Sequence, residues 1–205
     1  MFLTAVAFAL VLTVPLLGGD LRRLAAIRLR WLPVLYATLI VQVMLTEVPH
    51  VASHTVGAVV HVATYGGIAA FAWRNRSIAG VPVIALGGML NGITIALNGG
   101  TLPASANALR IAGVHIRPSD FANSGHVAHA KLAFLGDTMA TPSWLPLRNV
   151  ISIGDLVIIA GAAILLHVTS RSWPVRALAA RRERSALRLE TPAASPRNEV
   201  QHVPA

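Results

Sequence analysis

Cysteine is missing from this chain of 205 residues, and charged residues are scarce. The absence of cysteine excludes disulfides, thiolate metal sites, iron–sulfur clusters and covalently attached haem. Asp, Glu, Lys and Arg together make up 12% of the residues, about half of the roughly 25% that is usual in a soluble domain. The sequence also lacks a G-x-S-x-G elbow, a P-loop and a G-x-G-x-x-G turn, so we expect no cofactor.

Apolar residues are abundant instead, at 55% of the chain, and the mean hydropathy is +0.64. One core of this size cannot hide so much apolar surface from water, so part of it must face lipid. Five apolar runs are long enough to cross a hydrocarbon core of roughly 30 Å. They lie at residues 2–18, 31–48, 55–73, 81–98 and 151–169. We interpret the first run as a span because no Lys or Arg precedes it and no small-x-small cleavage site ends it.

These runs predict an all-α, polytopic membrane protein with five transmembrane helices in a bundle. Residues 1–170 would form this membrane domain, and the long loop at 99–150 would form an extracytoplasmic cap. Short helices are expected within the loop at 105–112 and 126–135, where apolar residues recur. Because the other connections are short, consecutive helices should be neighbours in an up-down arrangement.

Lys and Arg are divided unevenly between the two sides of this predicted bundle. Thirteen of the 17 lie on the side of the C-terminus, and four lie in the long loop. Since cytoplasmic segments retain an excess of Lys and Arg, we expect the N-terminus outside and the C-terminus in the cytoplasm. The eight acidic residues divide equally, so the whole net charge of +9 belongs to the inner side. Basic residues beside membrane spans do not indicate a nucleic-acid partner, and we expect none.

Polar residues form a stripe on each of three predicted spans, and each stripe is weighted toward the outer half. Such residues are costly in lipid, so stripes that face inward together would enclose a polar pocket that opens outward. The candidate pocket residues, including one from the long loop, are Gln42, His61, Tyr65, Asn91, Asn98 and Asp137. The alternative is that these side chains only hydrogen-bond neighbouring helices together, each contributing about 0.6 kcal/mol.

The long loop contains a weak candidate for a metal site. His126 and His129 would lie at i, i+3 on a helix, and Asp137 could add a carboxylate. A zinc-protease helix instead spaces its histidines at i, i+4 beside a Glu, so we expect no tightly bound metal. Asp155 follows Ser152 in a capping-box spacing and is interpreted as the cap of the last span. Asp137 has no such explanation and is the stronger functional candidate.

Three short motifs carry a resemblance to a known family. They are N-G-G-x-x-P at 98–103, L-G-D at 135–137 and S-I-G-D at 152–155. Residues 1–170 resemble, through these motifs, a family of small bacterial multi-span membrane proteins classed as a domain of unknown function. Thr101 and Leu102 stand where we expect that family to have an aromatic residue and Met. The resemblance implies a bacterial plasma-membrane location and no particular activity. Apart from it, the N-G-G string is typical of a helix C-cap.

Residues 171–205 form an Arg-rich segment followed by a tail whose composition predicts disorder. The segment is modestly amphipathic and should lie on the anionic inner leaflet. Besides lipid, a membrane-protein partner or a second copy of the chain is expected to bind. The leading functional hypothesis is a non-catalytic accessory, scaffold or sensor protein. The alternatives are a small transporter or channel subunit, and an enzyme acting at the outer face.

Overall fold

The structure is a computed structural model, and it describes residues 2–48, 53–113, 123–142 and 148–190. Within these ranges the chain is mostly helical. The helices are α1 (Phe2–Leu16), α2 (Arg22–Ala25), α3 (Leu32–Glu47), α4 (His54–Arg74), α5 (Val81–Leu97), α6 (Ala106–Ala112), α7 (Ile153–Ser170) and α8 (Trp173–Glu190). The strands are β1 (Leu102–Pro103), β2 (Ser124–Gly125), β3 (Asp137–Ala140) and β4 (Val150–Ser152).

The five apolar runs all form helices close to their predicted bounds, but their lengths differ. Only α4 over Thr55–Arg74 and α7 over Ile153–Ser170 are long and apolar enough to cross a membrane, among the described residues. The helices α1, α3 and α5 have 15, 16 and 17 residues. Proline sits in the first turns of α3 and α5 and fixes where they begin. The prediction of five transmembrane helices is therefore supported by length and composition for two of them.

The major helix contacts form an open row in the order α3, α4, α5, α7, α1. Consecutive helices α3, α4 and α5 are neighbours, as the short connections predict. The first helix differs, because α1 packs principally against α7 and makes no comparable contact with α3. The prediction that consecutive helices are neighbours is therefore wrong for the first two apolar runs, α1 and α3. A short loop limits how far apart two helices lie, but it does not decide which faces pack.

The closest helix contact in the row is between α5 and α7, and four glycines make it possible. A β-carbon at Gly87 would meet the backbone of Gly154, and one at Gly80 would meet the backbone of Gly161. Small residues at such crossings let helix backbones approach and pack by van der Waals contact. The pair α5 and α7 is therefore the rigid centre of the molecule.

The described parts of residues 99–150, together with β4, form a cap over one end of the row. Gly99 and Gly100 end α5 with φ angles of 66° and 92°, which confirms the predicted C-cap. The strands β1 and β2 then pair in parallel, and β3 pairs with β4 in antiparallel orientation. We call this end of the row the cap end, and the end next to α8 the opposite end.

The cap differs from the prediction in two ways. The helix expected at 105–112 is confirmed as α6, which Ser105 caps by accepting from the Ala108 amide. The helix expected at 126–135 is wrong, because this segment contains only a 3-10 turn at Ala133–Leu135. His129 and Leu132 have φ angles of 55° and 51°, which an α-helix does not allow. The prediction of an all-α fold also needs correction, because the cap contains four short strands and the described chain is mostly helical.

Polar side chains are buried in the helices while large apolar ones are exposed. On α5, Asn91 and Thr94 are buried while Ile93 is 48% exposed, and on α4 His61 is fully buried while Val59 is 65% exposed. Large apolar side chains are exposed along every helix of the row. The interior of the row thus contains polar side chains beside apolar ones such as Ile95, and its surface is apolar.

Candidate functional site

The polar side chains predicted to line a pocket lie at the cap end of the row. Gln42 comes from α3, His61 and Tyr65 from α4, and Asn91 from α5. Asn98 is the C-cap residue of α5, and Asp137 begins β3. Three groups of contacts organise these side chains, and each group joins the helices to one another or to the cap.

The first group links α3, α4 and the cap through His61. The side-chain amide of Gln42 donates to the Thr64 hydroxyl over 2.9 Å, and that hydroxyl donates to the His61 carbonyl over 2.6 Å. Nδ1 of His61 lies 2.8 Å from the carbonyl oxygen of Gly100, so this ring nitrogen donates. The side chain of Asn123 is also within hydrogen-bonding reach of the ring. His61 therefore anchors the turn that enters the cap.

The second group joins α5 to the start of α7. The Asn91 amide donates to Oδ1 of Asp155 over 2.9 Å, and its oxygen accepts from the Ser152 hydroxyl over 3.0 Å. Ser152 and Asp155 also form a complete capping box at the first turn of α7. The predicted cap role of Asp155 is confirmed, and the same carboxylate also binds Asn91. Sequence spacing indicates the capping box, but it gives no signal for the contact between α5 and α7.

The third group surrounds Asp137, which is 3% exposed. Oδ2 of its carboxylate accepts a short hydrogen bond from the Ser124 hydroxyl. Its backbone carbonyl accepts from the Ser105 amide over 3.0 Å, and its residue lies opposite Ser152 in the β3–β4 pairing. Burial raises the pKa of Asp137 from 3.8 to about 6, and the nearby negative charge of Asp155 adds to the rise. The bond from Ser124 opposes this shift.

Tyr65 brings these groups together. Its ring meets the His61 ring edge-on, with 5.5 Å between the centroids, and packs closely against Gly92 of α5. The side chain of Gln42 lies near its hydroxyl. The negative charges of Asp137 and Asp155 both act on its hydroxyl. The cap end therefore contains one continuous polar cluster, with two carboxylates and a phenol at its centre.

Asn98 lies at the rim of this cluster and holds the cap from the side. Its amide nitrogen donates to the carbonyl of Lys131, and its amide oxygen accepts from the Lys131 amide, both over 2.8 Å. A further bond runs from the amide nitrogen to the Thr94 carbonyl over 2.7 Å. The hydrogen bonds of Asn98 therefore join the end of α5 to the cap.

The weak metal candidates are not brought together. His126 and His129 are exposed on the cap, whereas Asp137 is buried beneath it. Because the segment is not helical, the i, i+3 spacing does not place the two imidazoles on one face. Among the described residues, no three His, Asp or Glu side chains are placed to hold a metal ion together.

A second polar cluster, at the opposite end, was not predicted from the sequence. Asn75 is 2% exposed and bonds both the amide and the carbonyl of Arg30 over 2.8 Å. His167 lies 3.2 Å from the Thr13 hydroxyl and 3.1 Å from the Ser172 hydroxyl. The position of Asn75 directly after an apolar run is a signal of a helix C-cap. The other contacts of this cluster depend on the packing of α1 against α7.

Comparison with known proteins places the chain in a family. Residues 26–167, from the connection before α3 to nearly the end of α7, match the family of unknown function DUF5317. An uncharacterized protein of Thermotoga maritima is 31% identical over 103 residues, which are 49% of this chain and 58% of the relative. The chain thus covers less than two thirds of that relative. No solved structure matches. Since the family match covers well over half of its residues, the chain belongs to DUF5317, a family of unknown function.

Proposed function

We propose that the chain is an integral protein of the bacterial plasma membrane and acts as a non-catalytic accessory or sensor subunit. The observation that carries the proposal is the large apolar surface of helices that bury polar side chains. A soluble protein buries large apolar side chains, whereas here Ile93 and Val59 are exposed and His61 and Asn91 are buried. Lipid is the solvent in which such a surface is stable.

The proposed orientation puts the cap outside and α8 inside. Thirteen of the 17 Lys and Arg residues belong to the opposite end and the C-terminal segment. Cytoplasmic segments carry this excess. The indole of Trp73 and the guanidinium of Arg76 stack at 4.5 Å beside the end of α4, where aromatic and basic anchors favour the membrane interface.

The short helices fit this proposal if the bilayer adapts to them. At a rise of roughly 1.5 Å per residue, the 16 residues of α3 extend about 24 Å. A short span is accommodated by local thinning of the bilayer, at a cost of fractions of a kcal/mol per ångström. The longer helices α4 and α7 flank α5 in the row and would set the position of the whole unit.

The contacts of the cap end favour a non-catalytic role. His61 is held by Gly100, and Asn91 is held by Asp155 and Ser152. These partners fix the cap on the helices, so His61 and Asn91 have structural hydrogen bonds in this arrangement. At the opposite end, Asn75 and Arg30 close the row with further hydrogen bonds. A transporter or channel is therefore the second candidate, and an enzyme the third.

An accessory or sensor protein needs a surface for its partner, and the proposal gives this role to the cap. Phe134 stands 64% exposed on the cap beside the 3-10 turn. Phe8 is similarly exposed, at 65%, but lies on α1, where lipid is expected. A photo-cross-linking amino acid can be placed at either position with little disturbance of the core.

The test is photo-cross-linking of these two variants in native membranes. We expect an adduct of discrete mass, containing a second protein chain, from position 134 and only lipid adducts from position 8. Mass spectrometry of the adduct identifies the partner. If position 134 gives no discrete protein adduct in the membranes in which the chain is normally made, the accessory role is wrong.

A further inference from the structure

Asp137 has a buried carboxylate, one oxygen of which has no hydrogen-bond partner among the described residues. Ser124 donates to Oδ2, but Oδ1 is buried and has no hydrogen-bond partner in the part of the chain that the structure describes. A carboxylate oxygen that loses water without gaining a donor is costly, and a buried negative charge is more costly still. Native proteins satisfy such a group with ordered water, compensate its charge with a cation or neutralise it with a proton.

The part of the chain that the structure describes contains no side chain that supplies the missing positive charge. Among the described residues, no Lys, Arg or His lies within ion-pair distance of the Asp137 carboxylate. The ion pair that the structure does record, Arg23 with Asp20 at 3.9 Å, is at the opposite end. The charged side chain that acts on the Asp137 carboxyl group is Asp155, which has the same sign.

A proton does not remove the charge at neutral pH. Burial raises the pKa of Asp137 to about 6, so the carboxyl group is still mostly ionised at pH 7. A bound cation would balance the negative charge that remains at this pH.

The groups around Asp137 are those that a hard cation prefers. The Ser124 hydroxyl touches its carboxylate, and Ser152 faces it across the β3–β4 pairing with its hydroxyl fully buried. The Ser152 hydroxyl in turn bonds the oxygen of Asn91. Carboxylate, hydroxyl and amide oxygens bind alkali and alkaline-earth ions, whereas transition metals favour imidazole and thiolate.

The charge that needs balancing amounts to one unit. Asp155 already accepts from the Asn91 amide and from the Ser152 backbone, and it caps the positive end of the α7 dipole. Asp137 has only the hydroxyl of Ser124. A singly charged ion therefore matches the deficit better than a divalent ion.

We propose that Oδ1 of Asp137 binds a monovalent metal cation of the size of Na⁺ beneath the cap. Asp137 supplies the charge, and neighbouring hydroxyl and amide oxygens complete the shell. The ion binds only where the folded chain brings these groups together, so its binding stabilises the folded cap end. This inference goes beyond the proposed function and does not depend on a partner protein.

The test compares thermal unfolding of the purified full chain in detergent, in sodium chloride and in N-methylglucamine chloride of equal ionic strength, at pH 8. We expect sodium to raise the Tm of the wild type by about 3–6 °C when it is about tenfold above its Kd. Asp137→Asn should show no sodium effect and should be at least as stable as the wild type in N-methylglucamine. The matched control Asp20→Asn, at the exposed ion pair, should respond like the wild type.

Three results would overturn the proposal. One is a wild-type Tm that is the same in both salts. Another is a sodium effect that survives in Asp137→Asn. The third is stabilisation by acid at pH 5 with no effect of sodium at pH 8, which would assign the site to a proton alone. Calcium chloride at equal ionic strength is run alongside, and a stronger effect of calcium than of sodium would also contradict a monovalent site.

A second measurement covers the case in which Asp137→Asn does not fold. Binding of radioactive sodium to the wild-type chain is followed by scintillation proximity. We expect saturable binding of about one ion per chain that unlabelled sodium displaces and N-methylglucamine does not. Because this assay contains only the purified chain, its outcome is separate from that of the cross-linking experiment in membranes.

Discussion

The two ends of the helix row differ in how completely their polar side chains are hydrogen-bonded. At the opposite end, Asn75 uses both atoms of its side-chain amide on Arg30, and His167 has a hydroxyl near each ring nitrogen. At the cap end, Asn91 and His61 are also held, but Asp137 keeps a buried oxygen without a partner. At the opposite end, hydrogen bonds within the chain satisfy the side-chain amide of Asn75. At the cap end, one oxygen of Asp137 is left without such a bond.

The difference teaches how to separate structural from functional polar groups in a row of apolar helices. Both clusters contain a buried Asn, and both contain a His. Burial and residue type therefore do not distinguish them. What distinguishes them is the Asp137 oxygen without a partner within the described chain, because such an atom costs free energy that an ion, a ligand or an ordered water returns.

The largest effect is expected at the crossing of α5 and α7 near the cap end. Gly154→Ala should destabilise the chain by about 3 kcal/mol, because the new β-carbon would overlap the Asn91 amide and the Gly87 carbonyl. Gly88→Ala is the matched control, since a β-carbon there meets nothing within 4 Å. Unfolding in mixed micelles measures both variants. Equal stabilities would show that the glycine contact does not hold the cap end.

A somewhat smaller loss of stability is expected when the hydrogen bonds of Asn75 at the opposite end are removed. Asn75→Ala should cost about 2–3 kcal/mol, because it removes bonds to the Arg30 amide and carbonyl and to the Phe71 carbonyl. The same unfolding assay measures it. Asn107→Ala serves as the control, since Asn107 bonds only the exposed Arg110 side chain and its loss should cost under about 0.5 kcal/mol. A similar cost for both variants would show that the buried hydrogen bonds of Asn75 stabilise the chain no more than those of an exposed Asn.

The cap end should respond to pH through Asp137 in sodium-free buffer. Its pKa is raised from 3.8 to about 6 in the folded chain, so the folded state binds the proton more tightly than the unfolded state. This contribution to stability is complete below pH 3.8 and is lost as pH rises through about 6. We expect a fall of about 2 kcal/mol between roughly pH 4 and pH 7.

The control for this pH dependence is Asp137→Asn, in which that part of the slope should vanish. Asp155 and Tyr65 remain in the variant, so any slope they cause would persist in both proteins. Parallel stability curves for the two proteins over this range would contradict the assignment to Asp137.

The smallest effect is expected at the rim of the cap. Asn98→Ala removes the two bonds to Lys131, which lies on the exposed side of the cap, and should cost about 1 kcal/mol. The readout is hydrogen exchange of the Lys131 amide, which should become faster while the amides in the middle of α7 stay protected. Exchange that quickens equally in both places would mean that the cap and the helices unfold as one unit.

Much of the fold could be predicted from the sequence because long apolar runs specify the helices of the row. The bounds of α3, α4, α5 and α7 follow from those runs and from the prolines and glycines beside them. The neighbour of α1 could not be predicted, since its apolar surface is nearly uniform and favours no face. Its position against α7 depends on contacts such as Thr13 with His167.

The site could be predicted in part for the same reason. Polar stripes on apolar helices draw attention to His61 and Asn91, and the structure buries both. Asp137 was ranked above Asp155 because no capping role explained it, and it is the carboxylate with the unmatched oxygen. Ser124 gave no signal, because it lies in a two-residue strand formed by pairing with a distant segment. Non-local pairing of this kind leaves no local pattern.

The central claim is that the cap end faces the outside of the membrane and the opposite end faces the cytoplasm. The chain has no cysteine, so a single cysteine can be introduced at Phe134 on the cap or at Ser77 between α4 and α5. A membrane-impermeant maleimide should label Phe134→Cys in intact cells whose outer barrier is permeable to it, and Ser77→Cys only after the plasma membrane is opened. Labelling of Ser77→Cys in intact cells, or of Phe134→Cys only in lysed ones, would contradict the account.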